Sequence, residues 1–64
     1  MTNRSNVTKQ KLLDAATEII MDHGVHQLTL DEVAKTAGVS KGGLLYHYPS
    51  KEALLTAIVE RLQT

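Results

Sequence analysis

Two helix starts and one helix stop fall between Thr29 and Ser40, which leaves this chain little choice of local fold. Thr29 and Glu32 have the spacing of a capping box, in which each side chain satisfies a backbone N–H of the other residue. Gly38 stops the helix so begun, because a residue without Cβ adopts the left-handed conformation cheaply. Ser40 then caps the next helix only two residues later. Helices joined so closely cannot lie antiparallel and must cross at a steep angle. Ala34 falls at the crossing, where a larger side chain would push the second helix away, and Ala37, Val39 and Leu44 are apolar at inward positions on both sides of the turn. The pattern is that of a helix-turn-helix, the unit that sets a short helix against DNA. An ordinary helical hairpin needs the same glycine and caps, so the turn alone favours DNA binding only modestly.

Charge placement moves the balance. Seven cations and seven anions give no net charge, which argues for no partner. Along the chain the signs separate. Residues 1–13 hold Arg4, Lys9 and Lys11 without an acid, and residues 14–32 hold Asp14, Glu18, Asp22, Asp31 and Glu32 without Lys or Arg. Residues 33–51 hold Lys35, Lys41 and Lys51, again without an acid, and residues 52–64 hold Glu52, Glu60 and Arg61. The N-terminal arm and the helix-turn-helix are thus positive, with the acids largely on the helix between them. Charge runs are commonly solvated faces; here the coincidence with the turn is what points to a polyanion.

Sixty-four residues make one small domain, near the lower bound for a self-sufficient core. Without cysteine there is no disulfide or thiolate metal site. No apolar stretch approaches the ~20 residues of a membrane span, and the N-terminus lacks a signal-peptide core, so no membrane partner and a cytoplasmic location are expected. Leu12, Leu13, Ala15, Ala16, Ile19 and Ile20 recur with the helical period, predicting a first helix over 8–23 that Gly24 ends. Val25 and Leu28 are expected to plug the core edge. Further helices are predicted at 30–37, 41–47 and 51–63, with Ser50 capping the last. No segment alternates as a strand does. The expected fold is all-α, a small homeodomain-like helical bundle, divided as a flexible arm over 1–7, a helix-turn-helix domain over 8–50 and a connecting helix over 51–64. Leu54, Leu55, Ile58, Val59 and Leu62, with Ala53 and Ala57, give that last helix an apolar surface wider than a three-helix core needs. It also runs to Thr64 without a stop signal, so a longer protein is expected, in which this helix leads into a missing domain.

The residues Leu13-Asp14-Ala15-Ala16, Gly24, Leu28-Thr29-Leu30-Asp31-Glu32-Val33-Ala34, Ala37-Gly38-Val39-Ser40-Lys41-Gly42 and Tyr46-His47-Tyr48-Pro49-Ser50-Lys51-Glu52-Ala53-Leu54-Leu55 together resemble the N-terminal domain of TetR-family transcriptional regulators. The resemblance covers nearly the whole chain after the arm. It implies a sequence-specific regulator, usually a repressor, that binds double-stranded operator DNA as a homodimer. It also implies that a missing C-terminal domain dimerises and binds a small-molecule inducer. The chain departs from the family at Leu45, where an aromatic is common; here Tyr46 follows one place later.

On this reading the helix at 41–47 enters the major groove, and Lys41 is the candidate for a base edge such as guanine. Gly42 and Gly43 each lower helix propensity by up to ~1 kcal/mol relative to alanine, either for close backbone approach to DNA or because the helix end is loose. Tyr46 and His47 resemble family residues that hydrogen-bond phosphates, and Lys51 would join the N–H groups of its helix in gripping one. Thr29 could do the same, although capping already accounts for it, and Ser40 belongs to the same DNA-binding set. Tyr48 is assigned to the core. His23 and His26 flank Gly24 without carboxylate or thiolate company, so they are read as a surface helix end and not as a metal site. No nucleophile, acid–base pair or phosphate loop is present, so neither catalytic residues nor a cofactor are assigned. A helical protein-interaction module using the apolar face of 53–62 is the competing reading.

Overall fold

Leucine and alanine at helical spacing, punctuated by Gly24, Gly38 and Pro49, build four helices in the computed structural model, which describes residues 4–63. They are α1 (Arg4–His23), α2 (Leu30–Ala37), α3 (Lys41–His47) and α4 (Lys51–Leu62), with a single 3₁₀ turn at Val25–Gln27. The all-α architecture is as the sequence implies, and α2 and α3 occupy the predicted ranges. No helix among the described residues is long and apolar enough to cross a membrane.

Two expectations are corrected. Helix α1 begins at Arg4 and not at residue 8, so residues 4–7 of the expected arm are helical, while residues 1–3 lie outside the described residues. The polar stretch Arg4–Val7 shows no apolar period, but it holds no glycine or proline, and extending an existing helix costs far less than starting one. Of the two expected plugs after Gly24, only Leu28 is buried, at 1% exposed; Val25 is 40% exposed. A 3₁₀ turn too short to show a period gave the sequence no means of ranking them.

Helix α1 is the spine: it packs on α2, on the 3₁₀ turn and on α4, while α3 hangs from α2. Leu12 and Ala16 of α1, Val33 of α2, Leu44 of α3 and Leu54 of α4 have no exposed surface. Each fully buried leucine contributes about 1.5–3 kcal/mol relative to exposure, so every helix is tied to one core. Tyr48, just past α3, closes that core at its edge. Burial pushes its phenol above the ordinary value of 10.0, with the Arg61 charge opposing the shift.

The far end of α4 is tied down by polar contacts. The Arg61 guanidinium donates to Gln10 Oε1 at 3.0 Å, to Asp14 Oδ1 at 2.8 Å and to Thr17 Oγ1 at 3.4 Å. One planar, forked donor thus spans two turns of α1. On either side of it in sequence, Val59 and Leu62 remain exposed.

Between α2 and α3 the chain turns through a complete Schellman motif. Gly38 takes the left-handed conformation at φ 70°, its N–H donates to Lys35 O at 3.2 Å, and the Val39 N–H donates to Ala34 O at 3.0 Å. A Cβ at Gly38 would meet nothing within 4 Å, so replacing it tests the backbone alone. Gly38→Ala is expected to destabilise the fold by about 1–2 kcal/mol, seen as a lower urea midpoint with unchanged slope; an unchanged midpoint would show the turn to be unstrained. For Tyr48, folding favours the neutral phenol, so its contribution is complete below pH 10.0 and declines as pH rises through the folded-state value. Tyr48→Phe should flatten the alkaline loss of stability in melts run between neutral and strongly basic pH.

Candidate nucleic-acid interface

Three hydroxyls start three helices. Thr29 Oγ1 accepts the Glu32 N–H at 3.1 Å, Ser40 Oγ accepts the Gly43 N–H at 3.0 Å and Ser50 Oγ accepts the Ala53 N–H at 3.1 Å. Each satisfies one amide that a helix start leaves open. Only one arm of the predicted box forms among the described residues, because the Glu32 side chain makes no bond back to Thr29. With its hydroxyl so engaged, Thr29 serves first as a cap, and so does Ser40.

Seven residues give α3 two separate faces. At about 100° per residue, Lys41, Leu45, Gly42 and Tyr46 follow one another around one side, and all four are exposed. Leu44 is buried on the other side, with Gly43 and His47 half-buried beside it. Tyr46 is 83% exposed, its ring edge-on to His47 with centroids 5.0 Å apart and planes at 80°. The His47 ring lies 6.4 Å from that of Tyr48 and tilted to it by 50°, so three neighbouring rings run from the outward face to the core.

The two glycines of α3 differ. A Cβ on Gly43 would stand 3.1 Å from Ser40 Oγ and 3.2 Å from Val39 Cγ1, tighter than side chains normally pack. Its lack of a side chain is explained by the turn folding back upon it. Around Gly42 nothing lies within 4 Å, so the interior of the protein gives no reason for glycine there.

Charge is placed against the ordinary preference of helix ends. Lys41 and Lys51 are the first residues of α3 and α4, where the positive end of the helix dipole disfavours a cation. The first turn of α3 contains no acid of its own, and that of α4 contains Glu52. Instead Asp31, from the first turn of α2, reaches across: its Oδ1 lies 2.8 Å from Lys41 Nζ. The expected separation of a cationic helix-turn-helix from an acidic neighbour is therefore incomplete. Lys51, half-buried, follows the Ser50 cap.

Of the sequence-predicted residues, Ser40, Lys41, Gly42, Gly43, Tyr46 and His47 lie on α3 or its cap, while Thr29 and Lys51 stand at the starts of the helices on either side. Asp31 and Arg61 were missed, since their partners lie ten and more than forty residues away in sequence. An acid in the first turn of one helix and a cation in the first turn of the next, across a two-residue turn, is a signal that could have marked the first pair.

The family model described as "Bacterial regulatory proteins, tetR family" matches residues 12–58. The chain is 43% identical over 54 residues to the HTH-type transcriptional regulator RutR of Escherichia coli K12, covering 84% of this chain and 26% of that protein. It is 38% identical over 56 residues to the HTH-type transcriptional regulator SrpR of Pseudomonas putida (88% and 26%). With the HTH-type transcriptional regulator UidR of Escherichia coli K12 it shares 36% identity over 59 residues (92% and 30%). The chain thus spans about a quarter of the length of RutR and SrpR. No solved structure matches it at a significant level. Gly42→Ala separates packing from contact: it should raise stability by about 0.5 kcal/mol in thermal melts while weakening duplex binding several-fold. Unchanged binding would remove backbone approach as the reason for the glycine.

Proposed function

Because the chain belongs to the tetR family of bacterial regulatory proteins, we propose that it lays α3 in the major groove of an operator duplex, as the DNA-reading head of a ligand-responsive repressor. That it is the helix-turn-helix DNA-binding portion of a transcriptional regulator follows from the family and the relatives. The groove reading is carried by one observation: the outward side of α3 bears Lys41, Gly42, Leu45 and Tyr46, has no acid of its own, and has no part in the core. Lys41 addresses a guanine edge. Tyr46 and His47 donate to phosphates, and Lys51, with the open N–H groups of α4, grips another. Thr29 and Ser40 border the same surface from the helix caps. These phosphate contacts fix register and leave the reading to few side chains.

A head of this size makes few contacts, and joining two copies on half-sites one helical turn or a multiple apart raises affinity without new contacts. The regulator accordingly works as a homodimer in the cytoplasm, with α4 leading from the head into a separate helical domain that joins the copies and takes a small-molecule inducer.

Titrating labelled duplex against salt tests the reading. Affinity should fall linearly on a logarithmic plot, by about 0.9 per phosphate neutralised. Lys51→Ala is expected to weaken all sequences alike and lower that slope by about 0.9. Lys41→Ala should relax preference at one base pair, by about 1–3 kcal/mol of discrimination. Binding indifferent to salt, or the reverse assignment of the two lysines, would overturn the proposal.

A further inference from the structure

We propose that Asp31 is a positioning residue for Lys41, holding its ammonium so that it engages a base edge and not a phosphate. This deepens, and rests on, the groove-bound α3 of the proposed function. Lys41 Nζ and Asp31 Oδ1 are 2.8 Å apart, with the side chains 53% and 76% exposed. A pair so exposed contributes little to folding, and the start of α2 does not need it, since Glu32 supplies an acid to the same turn. Its effect lies in what the ammonium can do next.

An ammonium has three N–H donors and no acceptor. One given to Asp31 leaves two, the number that O6 and N7 of a guanine accept. Those acceptors carry no full charge, so the Asp31 carboxylate need not let go when Lys41 meets them. A phosphate is different. It is repelled by the carboxylate, and a pair whose charges cancel offers it no net attraction. Asp31 therefore withholds Lys41 from the backbone, where contacts carry no sequence information, and aims it at the base edge. The pair makes α3 more selective at the expense of indiscriminate affinity.

The test uses the full chain, with duplexes selected from a randomised library by the natural protein and an unselected duplex as comparison. Asp31→Asn should bind the unselected duplex several-fold more tightly. Its salt plot should steepen by about 0.9, one further phosphate neutralised, and its base preference at the Lys41 position should relax. Asp31→Glu, which keeps the carboxylate, should retain the natural preference, and melting curves should be alike for all three proteins. In a Lys41→Gln background, Asp31→Asn should leave base preference where it was. Preference and slope unchanged in Asp31→Asn would overturn the inference. So would a change that persists without Lys41, which would mean that Asp31 touches a base itself. A natural protein that binds no duplex in a salt-dependent way removes the groove reading, whereas one that binds normally beside an indistinguishable Asp31→Asn removes only the role of Asp31.

Discussion

The left-handed backbone at Gly38 is the point on which the rest of the molecule depends. It lets two amides return to the last carbonyls of α2, and it delivers the chain to Ser40 in time to start another helix. Because the turn is so short, the crossing of α2 and α3 is set largely by backbone geometry. Leu44 shares the buried cluster with Leu12 and Val33, and the opposite side of α3 is left outside. Gly43 belongs to the same device, for the turn closes so tightly that a Cβ there would press on the Ser40 and Val39 side chains.

Most of this architecture was legible because it is local. Caps and glycine stops mark helix ends within three or four residues of one another, and the bounds of α2 and α3 follow from them. Where the local signals ran out, the reading did too. Residues 4–7 of α1 have no apolar period to announce a helix, and the 3₁₀ turn is too short to tell Val25 from Leu28. Cap spacing was enough to place Ser40 and Lys41 at the start of α3 and Thr29 and Lys51 at the helix starts on either side, whereas the reason for Gly43 lies in the three-dimensional closeness of Ser40 and Val39. The ion pair of Asp31 with Lys41 and the anchoring of Arg61 on α1 join residues that only the folded chain brings together.

Those two ion pairs also change the meaning of the charge pattern. A block of acids over residues 14–32 reads as a solvated face, yet Asp14 pairs with Arg61 of α4 and Asp31 pairs with the leading cation of α3. Net charge and block charge therefore describe this surface poorly. The arrangement of individual carboxylates, and not their number, decides which ammonium groups are paired, as Lys41 is with Asp31.

The division of α3 into an inward and an outward side has a wider consequence. Leu44 and Gly43 serve the interior and half-buried His47 stands at the border, while Lys41, Gly42 and Tyr46 face outward with Leu45 partly covered beside them. Substitutions at Lys41, Gly42 and Tyr46 thus touch the support of the helix least. An outward face so independent of its support can change its side chains while the architecture stands still.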